Sequence, residues 1–268
     1  MEQAACRQCG SPDTAAIASY QAFAHVAAVA TDERKPLYAY ICAHPETAFT
    51  QFIGCRHCDF IRIDPLPTAA TLMQFYQNYY ASGAYAGKRD KKIRRTLKRL
   101  KKLTRYVATG RFLDVGCNVG FAVEAARMAG FEATGIEIDA TAVRTATEHF
   151  PLNRYFATTI EDFTPEQPFD LVHCTEVIEH AIDTNAFAAH LARLTKPGGY
   201  LFLTTPDAGH WRRPKSLVAW PEIKPLEHIT WQTRRSLTLL LESHGFAVVH
   251  TAFTVKPGLR LTARRLAD

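Results

Sequence analysis

Four cysteines in the first sixty residues have the spacing of a metal site. Cys6 and Cys9 form one Cys-x-x-Cys pair, and Cys55 and Cys58 form a second. Two residues between the sulfurs allow one tight turn to direct both at a single ion, and four thiolates suit tetrahedral Zn²⁺. An ion held in this way is structural, because the protein fills every coordination position. The alternative is four unrelated buried thiols.

A glycine loop follows a short apolar run that ends in an acid, in "FLDVGCNVG" at 112–120. Gly116 and Gly120 are separated by three residues, so the loop lacks the G-x-G-x-x-G spacing of dinucleotide-binding proteins. Glu137 ends the next apolar run, 21 residues after Gly116, where a carboxylate can accept hydrogen bonds from ribose hydroxyls. These features predict a site for a nucleoside whose other end is an amino acid.

Histidine is the natural proton acceptor near neutral pH, and two histidines are placed for that role. Glu179 and His180 lie in "CTEVIEHAID", directly after an apolar run, and His228 lies in "KPLEHITWQT". His228 ends an irregular segment, 207–230, that we expect to cover a substrate as a lid. We predict that His228, His180 and Glu179 are catalytic, with His228 favoured. The alternatives are that the Glu–His pair anchors a helix start and that His228 caps a helix.

The elements that must position these residues alternate between strands and helices from Arg111 onward. The predicted strands are "RFLDVG", "FEATGIEID", "FDLVHC" and "GYLFLTT", and the predicted helices are "VGFAVEAARMAG", "ATAVRTATEHF" and "NAFAAHLARLTKPGG". This rhythm predicts an α/β fold with a mostly parallel sheet covered by helices on both faces. Ligands of such sheets bind at the carboxyl ends of the strands, where the glycine loop and the Glu–His pair are expected.

Residues 65–105 are predicted to form a helical linker. The breaker cluster "DPLPT" precedes "AATLMQFYQNYY", a helix that Thr68 can cap. The run 88–105 holds eleven of the 32 basic residues and one of the 26 acidic ones, and its apolar residues recur at helical spacing. We favour a solvated helix packed by its leucines. The alternative is a surface for phosphate groups on RNA, on a nucleotide-linked substrate or for an acidic carrier protein.

Composition indicates the cellular setting. No run of about 18 apolar residues is present, so we expect no membrane partner. The first residues lack the basic-then-apolar pattern of a secretory signal. Seven cysteines without an export signal favour thiols or metal over disulfides, and we expect a cytoplasmic protein.

The stretches "LDVGCNVG", "GIEID", "FDLVHCTEVIEH", "KPGGYLFLTTP" and "SLTLLLESHGF" resemble the class I S-adenosylmethionine-dependent methyltransferases. The alternative is another nucleotide-binding α/β fold. The resemblance implies a doubly wound, seven-stranded Rossmann-like sheet at 106–268, after a zinc-binding module at 1–64. Asn118 departs from the family, which often has Gly there, but Asn tolerates a left-handed backbone. The implied cofactor residues are Asp114, Gly116, Cys117, Gly120, Glu137, Ile138, Glu161, Asp162, Cys174 and Thr175.

Within that resemblance, the methionine part of the cofactor is expected near Asp114, Gly116, Gly120, Cys174 and Thr175. The ribose is expected at Glu137, and the adenine near Ile138 and, on its other side, Glu161 and Asp162. The N-terminal half, with its paired Cys-x-x-Cys, resembles the zinc-knuckle leader of many bacterial methyltransferases.

The resemblance implies transfer of a methyl group from S-adenosylmethionine to a small molecule. We expect O-methylation of a sugar, a glycan precursor or a secondary metabolite. This substrate could carry a phosphate group or be linked to a carrier. The alternatives are an RNA methyltransferase using the basic helix and a non-catalytic binding protein. Glu176, Glu179 and His180 with His228 also resemble the metal-binding set of small-RNA 3′-end methyltransferases, although quinone-type O-methyltransferases have the same E-x-x-E-H.

Overall fold

Two β-sheets organise the chain, for which the computed structural model describes residues 5–79 and 89–267. The strands are β1 (Thr14–Ser19), β2 (Gln51–Cys55), β3 (Ile61–Asp64), β4 (Gly110–Val115), β5 (Phe131–Glu137), β6 (Arg154–Ala157), β7 (Phe169–Thr175), β8 (Thr195–Pro206), β9 (Thr230–Trp231), β10 (Phe246–Thr251) and β11 (Gly258–Arg265). The α-helices are α1 (Tyr20–Ala28), α2 (Arg34–Ala43), α3 (Ala69–Tyr79), α4 (Arg89–Leu103), α5 (Phe121–Met128), α6 (Ala140–His149), α7 (Thr184–Leu194) and α8 (Arg234–Ser243).

The larger sheet has seven strands in the order β10-β11-β8-β7-β4-β5-β6. Strands β4 to β8 are mutually parallel, and β11 runs antiparallel to both of its neighbours. This arrangement confirms the predicted doubly wound, mostly parallel seven-stranded sheet. The glycine loop follows β4, and the Glu–His pair follows the neighbouring strand β7, so both lie at one edge of the sheet.

Side chains that alternate along the strands of the larger sheet form one apolar core on each of its faces. On β4, Leu113 packs in one core with α7 and α8, whereas Phe112 packs in the other with α4 and α5. Because successive strand residues point to opposite faces, the central strands β4, β5, β7 and β8 supply both cores. Three helices of this domain begin at side-chain caps: Asp139 accepts from Thr141 N before α6, Asp183 from Ala186 N before α7, and Thr233 from Ser236 N before α8.

The smaller sheet is antiparallel, has the order β1-β2-β3-β9 and extends past the predicted module boundary at residue 64. Its last strand, β9, comes from the end of the predicted lid and pairs Trp231 with Ile61 and Thr230 with Arg62. The N-terminal region and residues 230–231 therefore build one sheet. The predicted module boundary at residue 64 separates the two regions in sequence, but backbone hydrogen bonds between β3 and β9 connect them in the structure.

The predicted lid is packed into the core of the N-terminal region. Leu217, Trp220 and Ile223 lie in one buried cluster with Phe23 and Phe52. Trp231 is fully buried in the same cluster, and its indole Nε1 donates to the Glu222 backbone oxygen at 2.8 Å. The segment is thus fixed at its far end, which determines where His228 lies. Coverage of a substrate by residues 207–230 stays a prediction.

The basic helix is present as α4, although Lys88 and the rest of 80–88 lie outside the described residues. Ile93, Leu100 and Leu103 are buried against the sheet and α5, as the favoured interpretation requires. The cap predicted for the preceding helix also forms, since Thr68 Oγ1 accepts from Thr71 N at 3.1 Å. Within the described ranges, no helix is both long enough and apolar enough to cross a membrane.

Candidate functional site

The four N-terminal cysteines come together as their spacing predicts. Their sulfurs all lie within 4.8 Å of one another, with Cys6 Sγ 3.8 Å from Cys58 Sγ and Cys9 Sγ 3.6 Å from Cys55 Sγ. A tetrahedron with metal–sulfur bonds of about 2.3 Å has edges of about 3.8 Å, so the thiols fit one Zn²⁺. The contact between Cys6 and Cys58 lowers the pKa of Cys6 to about 5 and raises the pKa of Cys58, so this pair holds one thiolate more readily than two.

The glycine loop after β4 has a backbone that only particular residues adopt. Gly116 and Gly120 have φ values of 72° and 81°, and Asn118 has a φ of 47°. A Cβ at Gly116 would lie 2.6 Å from Val177 Cγ2, and one at Gly120 would lie 2.6 Å from Tyr155 Oη. Asn118 holds its left-handed backbone, as predicted, while its Oδ1 accepts from Val119 N at 2.7 Å.

Glu137 clamps this loop to the end of β5. Its Oε2 accepts from Asn118 N at 3.0 Å, and its Oε1 accepts from Ile138 N at 2.9 Å and from Asp139 N at 3.3 Å. Burial raises the pKa of the carboxyl, and the three backbone N–H donors act against that rise. The carboxylate therefore holds the loop, and the remaining lone pair on Oε2 can accept a further hydrogen bond.

Asp114 reaches a buried polar chain that the sequence did not indicate. Its Oδ1 accepts from His173 Nδ1 at 2.6 Å, and His173 Nε2 lies 3.4 Å from Arg99 Nη1. A guanidinium can only donate, so His173 Nε2 is the acceptor in this contact and Nδ1 is the donor to Asp114. The ring stacks on Phe202 at an interplanar angle of 10°.

Arg99 brings a cation from the basic helix to the site. Burial lowers its pKa to about 10, as do the nearby Arg260 and Arg95, while Asp114 and Glu176 act in the opposite direction. Its guanidinium also lies 5.0 Å from the centre of the Phe202 ring. Helical periodicity predicted which face of α4 is buried, but no local signal distinguished Arg99 from its ten basic neighbours.

Cys174 and Thr175 end β7, where we predicted that they line the methionine end of the cofactor site. The Cys174 side chain is fully buried among the apolar side chains between the sheet and α7, so Cys174 can meet a ligand only through its backbone. Strand alternation turns this side chain to the opposite face from His173. The role of Cys174 therefore stays a prediction. Thr175 is half-buried at the end of β7, and its predicted role stays open.

The other predicted cofactor residues occupy the same edge of the sheet. Cys117 turns its buried side chain toward Gly135, so the loop can meet a ligand only through its backbone there. Ile138 is 61% exposed beside Glu137, as an adenine contact requires. Glu161 and Asp162 are exposed after β6, where Asp162 Oδ2 accepts from Thr159 Oγ1 at 2.9 Å. Their roles toward adenine stay predictions.

The three predicted catalytic residues form one cluster. Glu179, His180 and His228 each offer an atom within 4.8 Å of the others, and the two imidazole centres are 5.2 Å apart. Backbone pairing brings the two segments together, since Ile229 N donates to the Glu179 backbone oxygen at 3.0 Å. The fold thus brings together His180 and His228, which are nearly fifty residues apart in the sequence.

Hydrogen bonds fix the tautomer of both histidines. His180 Nδ1 donates to the Glu227 backbone oxygen, and His228 Nδ1 donates to the Glu222 backbone oxygen at 3.1 Å. A carbonyl oxygen only accepts, so each Nδ1 carries a proton and each Nε2 keeps a lone pair. Burial lowers the pKa of His180 to about 4 and that of His228 well below its usual value. Both rings are therefore neutral at pH 7.

The Glu179 carboxyl is enclosed and incompletely satisfied. Its Oε2 accepts from Thr205 Oγ1 at 3.0 Å, whereas its buried Oε1 has no partner in the described part of the chain. Burial raises its pKa well above the usual value, and the neighbouring Glu176 adds to the rise. Glu176 has a φ of 57° and bonds Thr204 Oγ1 at 2.7 Å, and it is not a member of the close Glu179–His180–His228 group.

Tyr76, on α3, also reaches the cluster and was not singled out from the sequence. Its Oη lies 3.1 Å from His180 Nδ1, and burial raises its pKa well above the usual value. The apolar spacing of α3 marks Tyr76 only as a residue on a packed face. The linker helix thus contributes a hydroxyl to the same edge of the sheet.

Solved structures with this fold include known methyltransferases. A 1,6-didemethyltoxoflavin-N1-methyltransferase from Burkholderia thailandensis superposes with a TM-score of 0.57 at 17% identity, covering 78% of this chain and 95% of that one. An S-adenosylmethionine-dependent methyltransferase from Mesorhizobium loti gives a TM-score of 0.53 at 18% identity, covering 63% and 96%. At these identities the similarity shows the fold alone.

Curated relatives match the chain at higher identity. A ubiquinone biosynthesis O-methyltransferase from Rhodopseudomonas palustris (strain HaA2) is 35% identical over 151 residues, which is 53% of this chain and 59% of that protein. One from Bordetella avium (strain 197N) is 36% identical over 114 residues, or 40% and 46%. The chain spans about half the length of these relatives. A family model described as a methyltransferase domain matches residues 85–251, more than half of the chain. The chain therefore belongs to the methyltransferase-domain family.

Proposed function

We propose that this protein is an S-adenosylmethionine-dependent methyltransferase that methylates a hydroxyl group of a small molecule. The observation that carries the proposal is the Glu179–His180–His228 cluster, whose two imidazoles each keep a lone pair on Nε2 beside the glycine loop. The acceptor classes are a sugar, a glycan precursor or another secondary metabolite. The names of the curated relatives support O-methylation, and they do not identify the acceptor of this chain.

The residues at the carboxyl edge of the sheet fit S-adenosylmethionine. The left-handed glycine loop allows close approach of a ligand to the backbone, and Glu137 keeps acceptor capacity for ribose hydroxyls. Ile138 offers an exposed apolar surface to the adenine, and Arg99 offers a cation to the methionine carboxylate. When bound, the cofactor supplies a methyl group activated by its positive sulfur.

The chain's own contribution to the reaction is placement and proton removal. A hydroxyl oxygen gains a bond to the methyl carbon while its proton moves to an imidazole Nε2. His228 and His180 both present neutral rings for this step, with His228 favoured because it lies on the lid. Proximity of acceptor and methyl group provides most of the acceleration.

A divalent cation at this cluster is a second candidate, and a specific observation favours it. Glu179 Oε1 is buried without a partner, and both imidazoles donate Nδ1–H to backbone carbonyls, as metal-binding histidines do. A pKa of about 4 makes His180 a weak base on its own. A cation held by Glu179, His180 and His228 would lower the pKa of a bound hydroxyl.

We also propose one structural Zn²⁺ at the Cys6, Cys9, Cys55 and Cys58 sulfurs. The sulfur separations support this assignment. The knuckle holds β1, β2 and β3 at the start of the smaller sheet. Its role is to stabilise the fold and not to act on a substrate.

The proposed activity is tested by two measurements on the full chain. Isothermal titration calorimetry with S-adenosylmethionine should give saturable binding near one site per chain. Release of S-adenosylhomocysteine is then followed with a phenol, a catechol and a nucleoside diphosphate sugar, with and without Mg²⁺ or Mn²⁺. Cofactor binding without transfer to any hydroxyl would favour the non-catalytic alternative, and salt-sensitive binding to RNA would favour the RNA alternative.

A further inference from the structure

We propose that Gln8, which lies inside the first Cys-x-x-Cys pair, is a positioning residue for the two candidate catalytic histidines. The inference rests on the proposed function for its kinetic readout, and on the hydrogen bonds of Gln8 for its structural one. Through Gln8, the sulfur cluster of the N-terminal module is connected to both segments of the site. The module thereby acts on the geometry of the reaction without touching a substrate.

Gln8 is 8% exposed, and its amide has three hydrogen bonds to the larger domain. Its Oε1 accepts from Gln232 Nε2 at 2.8 Å and from Thr184 Oγ1 at 3.2 Å. Its Nε2 donates to the Ser236 backbone oxygen at 2.9 Å. A buried amide with these partners is costly to remove, because each partner then loses a hydrogen bond away from water.

The two residues that donate to Gln8 Oε1 have the same sequence spacing from the two histidines. Thr184 is the fourth residue after His180, and Gln232 is the fourth residue after His228. Both contacts meet on one atom, Gln8 Oε1. A single oxygen therefore joins the segment that carries one imidazole to the segment that carries the other.

Only a short stretch of backbone separates each of these contacts from its histidine. Thr184 begins α7 directly after its cap Asp183, so the stretch from His180 to the helix is only three residues long. Gln232 follows β9 directly, and its Oε1 accepts from Ser236 Oγ at 2.7 Å. A shift at either contact is therefore passed along a short stretch of backbone to the imidazole.

The backbone around Gln8 is fixed from both sides. Cys6 and Cys9 belong to the sulfur cluster, and Asn185 Nδ2 donates to the backbone oxygens of Arg7 at 2.9 Å and Gln8 at 3.1 Å. Gln8 thus has little freedom once the sulfurs are held together. Release of a metal from the cluster would free the knuckle and, with it, both contacts to the histidine segments.

The test compares Gln8→Met with Arg7→Ala in the full chain. Methionine has nearly the same size but cannot make these hydrogen bonds, whereas the Arg7 side chain is exposed on the same turn. Hydrogen–deuterium exchange is measured over 177–184 and 226–236, together with zinc content, S-adenosylmethionine affinity and turnover. We expect Gln8→Met to exchange about tenfold faster in both segments and to lose about tenfold in turnover, with zinc and cofactor affinity unchanged.

The outcomes separate this inference from the proposed function. Wild-type protein without methyl transfer contradicts the proposed function, and the exchange measurement still decides the role of Gln8. Exchange and turnover equal to those of Arg7→Ala would overturn the inference. If Gln8→Met loses zinc or fails to fold, Thr184→Val decides, because it removes one contact from outside the knuckle. Faster exchange confined to 177–184 then supports the inference, and no change contradicts it.

Discussion

The described part of the chain has two clusters of side chains that could hold a metal ion, and they differ in how completely their donor atoms are satisfied. The four sulfurs of the N-terminal knuckle fill every position of a tetrahedron, and each pair comes from one local turn. Glu179, His180 and His228 leave a buried carboxylate oxygen without a partner, and they come from two distant segments. A closed cluster suits stability, and an open one suits chemistry. Donor completeness, together with donor type, therefore separates the two proposed roles.

The largest expected effect comes from opening the closed cluster. We expect Cys58→Ser to lose most of the bound zinc and to unfold the smaller sheet, since structural zinc contributes about 10–16 kcal/mol in small modules. Zinc is counted by elemental analysis, and folding is followed by circular dichroism. Cys42→Ser is the matched control, because Cys42 is exposed and outside the cluster. Equal zinc content in both variants would contradict the assignment.

The knuckle was predictable because its ligands are paired in sequence. Two residues between cysteines fix a turn, and only the meeting of the two pairs required the fold. The pairing of β3 with β9 was not predictable, because a strand of two residues leaves no periodic signal. Thr230, the last residue of the predicted lid, therefore belongs to a strand of the smaller sheet.

The next effect concerns the open cluster. We expect His228→Ala and His180→Ala each to lower turnover by about 10²–10⁴-fold, the usual loss when a general base is removed. S-adenosylmethionine affinity should stay near the wild-type value, because the proposed cofactor contacts are the glycine loop and Glu137 and do not include these two rings. Steady-state kinetics and calorimetry on the same samples measure the two quantities.

His25→Ala is the control for both variants, since His25 is exposed on α1. Full turnover in both catalytic variants would mean that transfer depends on proximity alone or on another base. Loss of cofactor binding in both would instead assign the histidines to the scaffold. If Mn²⁺ raises the turnover of the wild type but not that of Glu179→Gln, the result would favour the cation over a free imidazole base.

Within the site, sequence spacing predicted the glycine loop and Glu137, but it did not predict the hydrogen bonds that join Asp114, His173 and Arg99. Glu137 was placed at the end of β5 from its distance to Gly116, and the structure has it there. Cys174 was placed at the cofactor edge because its stretch ends a strand, and alternation, which turns its side chain into the core, leaves only its backbone for that role. His173 and Arg99 were missed because their contact joins α4 to β7, two elements that are far apart in the sequence. Such contacts leave no local pattern.

A smaller effect on cofactor affinity is expected at Glu137, whose carboxylate holds the glycine loop and is proposed to bind the cofactor ribose. Glu137→Ala should weaken S-adenosylmethionine binding by about 1–3 kcal/mol, because it removes a charged hydrogen-bond acceptor. The structure adds that Asn118 N loses its partner in this variant, so part of the loss comes from the loop. Glu132→Ala is the control on the same strand, where the side chain is exposed. Unchanged affinity in calorimetry would mean that the ribose binds elsewhere.

The smallest effect tests whether the open cluster holds its histidines neutral. The pKa of His180 is lowered to about 4 by burial, so the unfolded chain binds a proton at higher pH than the folded one. Stability from this group is complete above about pH 6.5 and is lost as the pH falls toward 4. Between pH 7.5 and 6 the loss for one such group is about 1 kcal/mol. We expect wild-type protein to lose that much more stability over this interval than His180→Asn, as measured by urea unfolding. Equal losses would mean that His180 titrates as in the unfolded chain, and the contrast between a closed thiolate cluster and a neutral, enclosed imidazole pair would then fail.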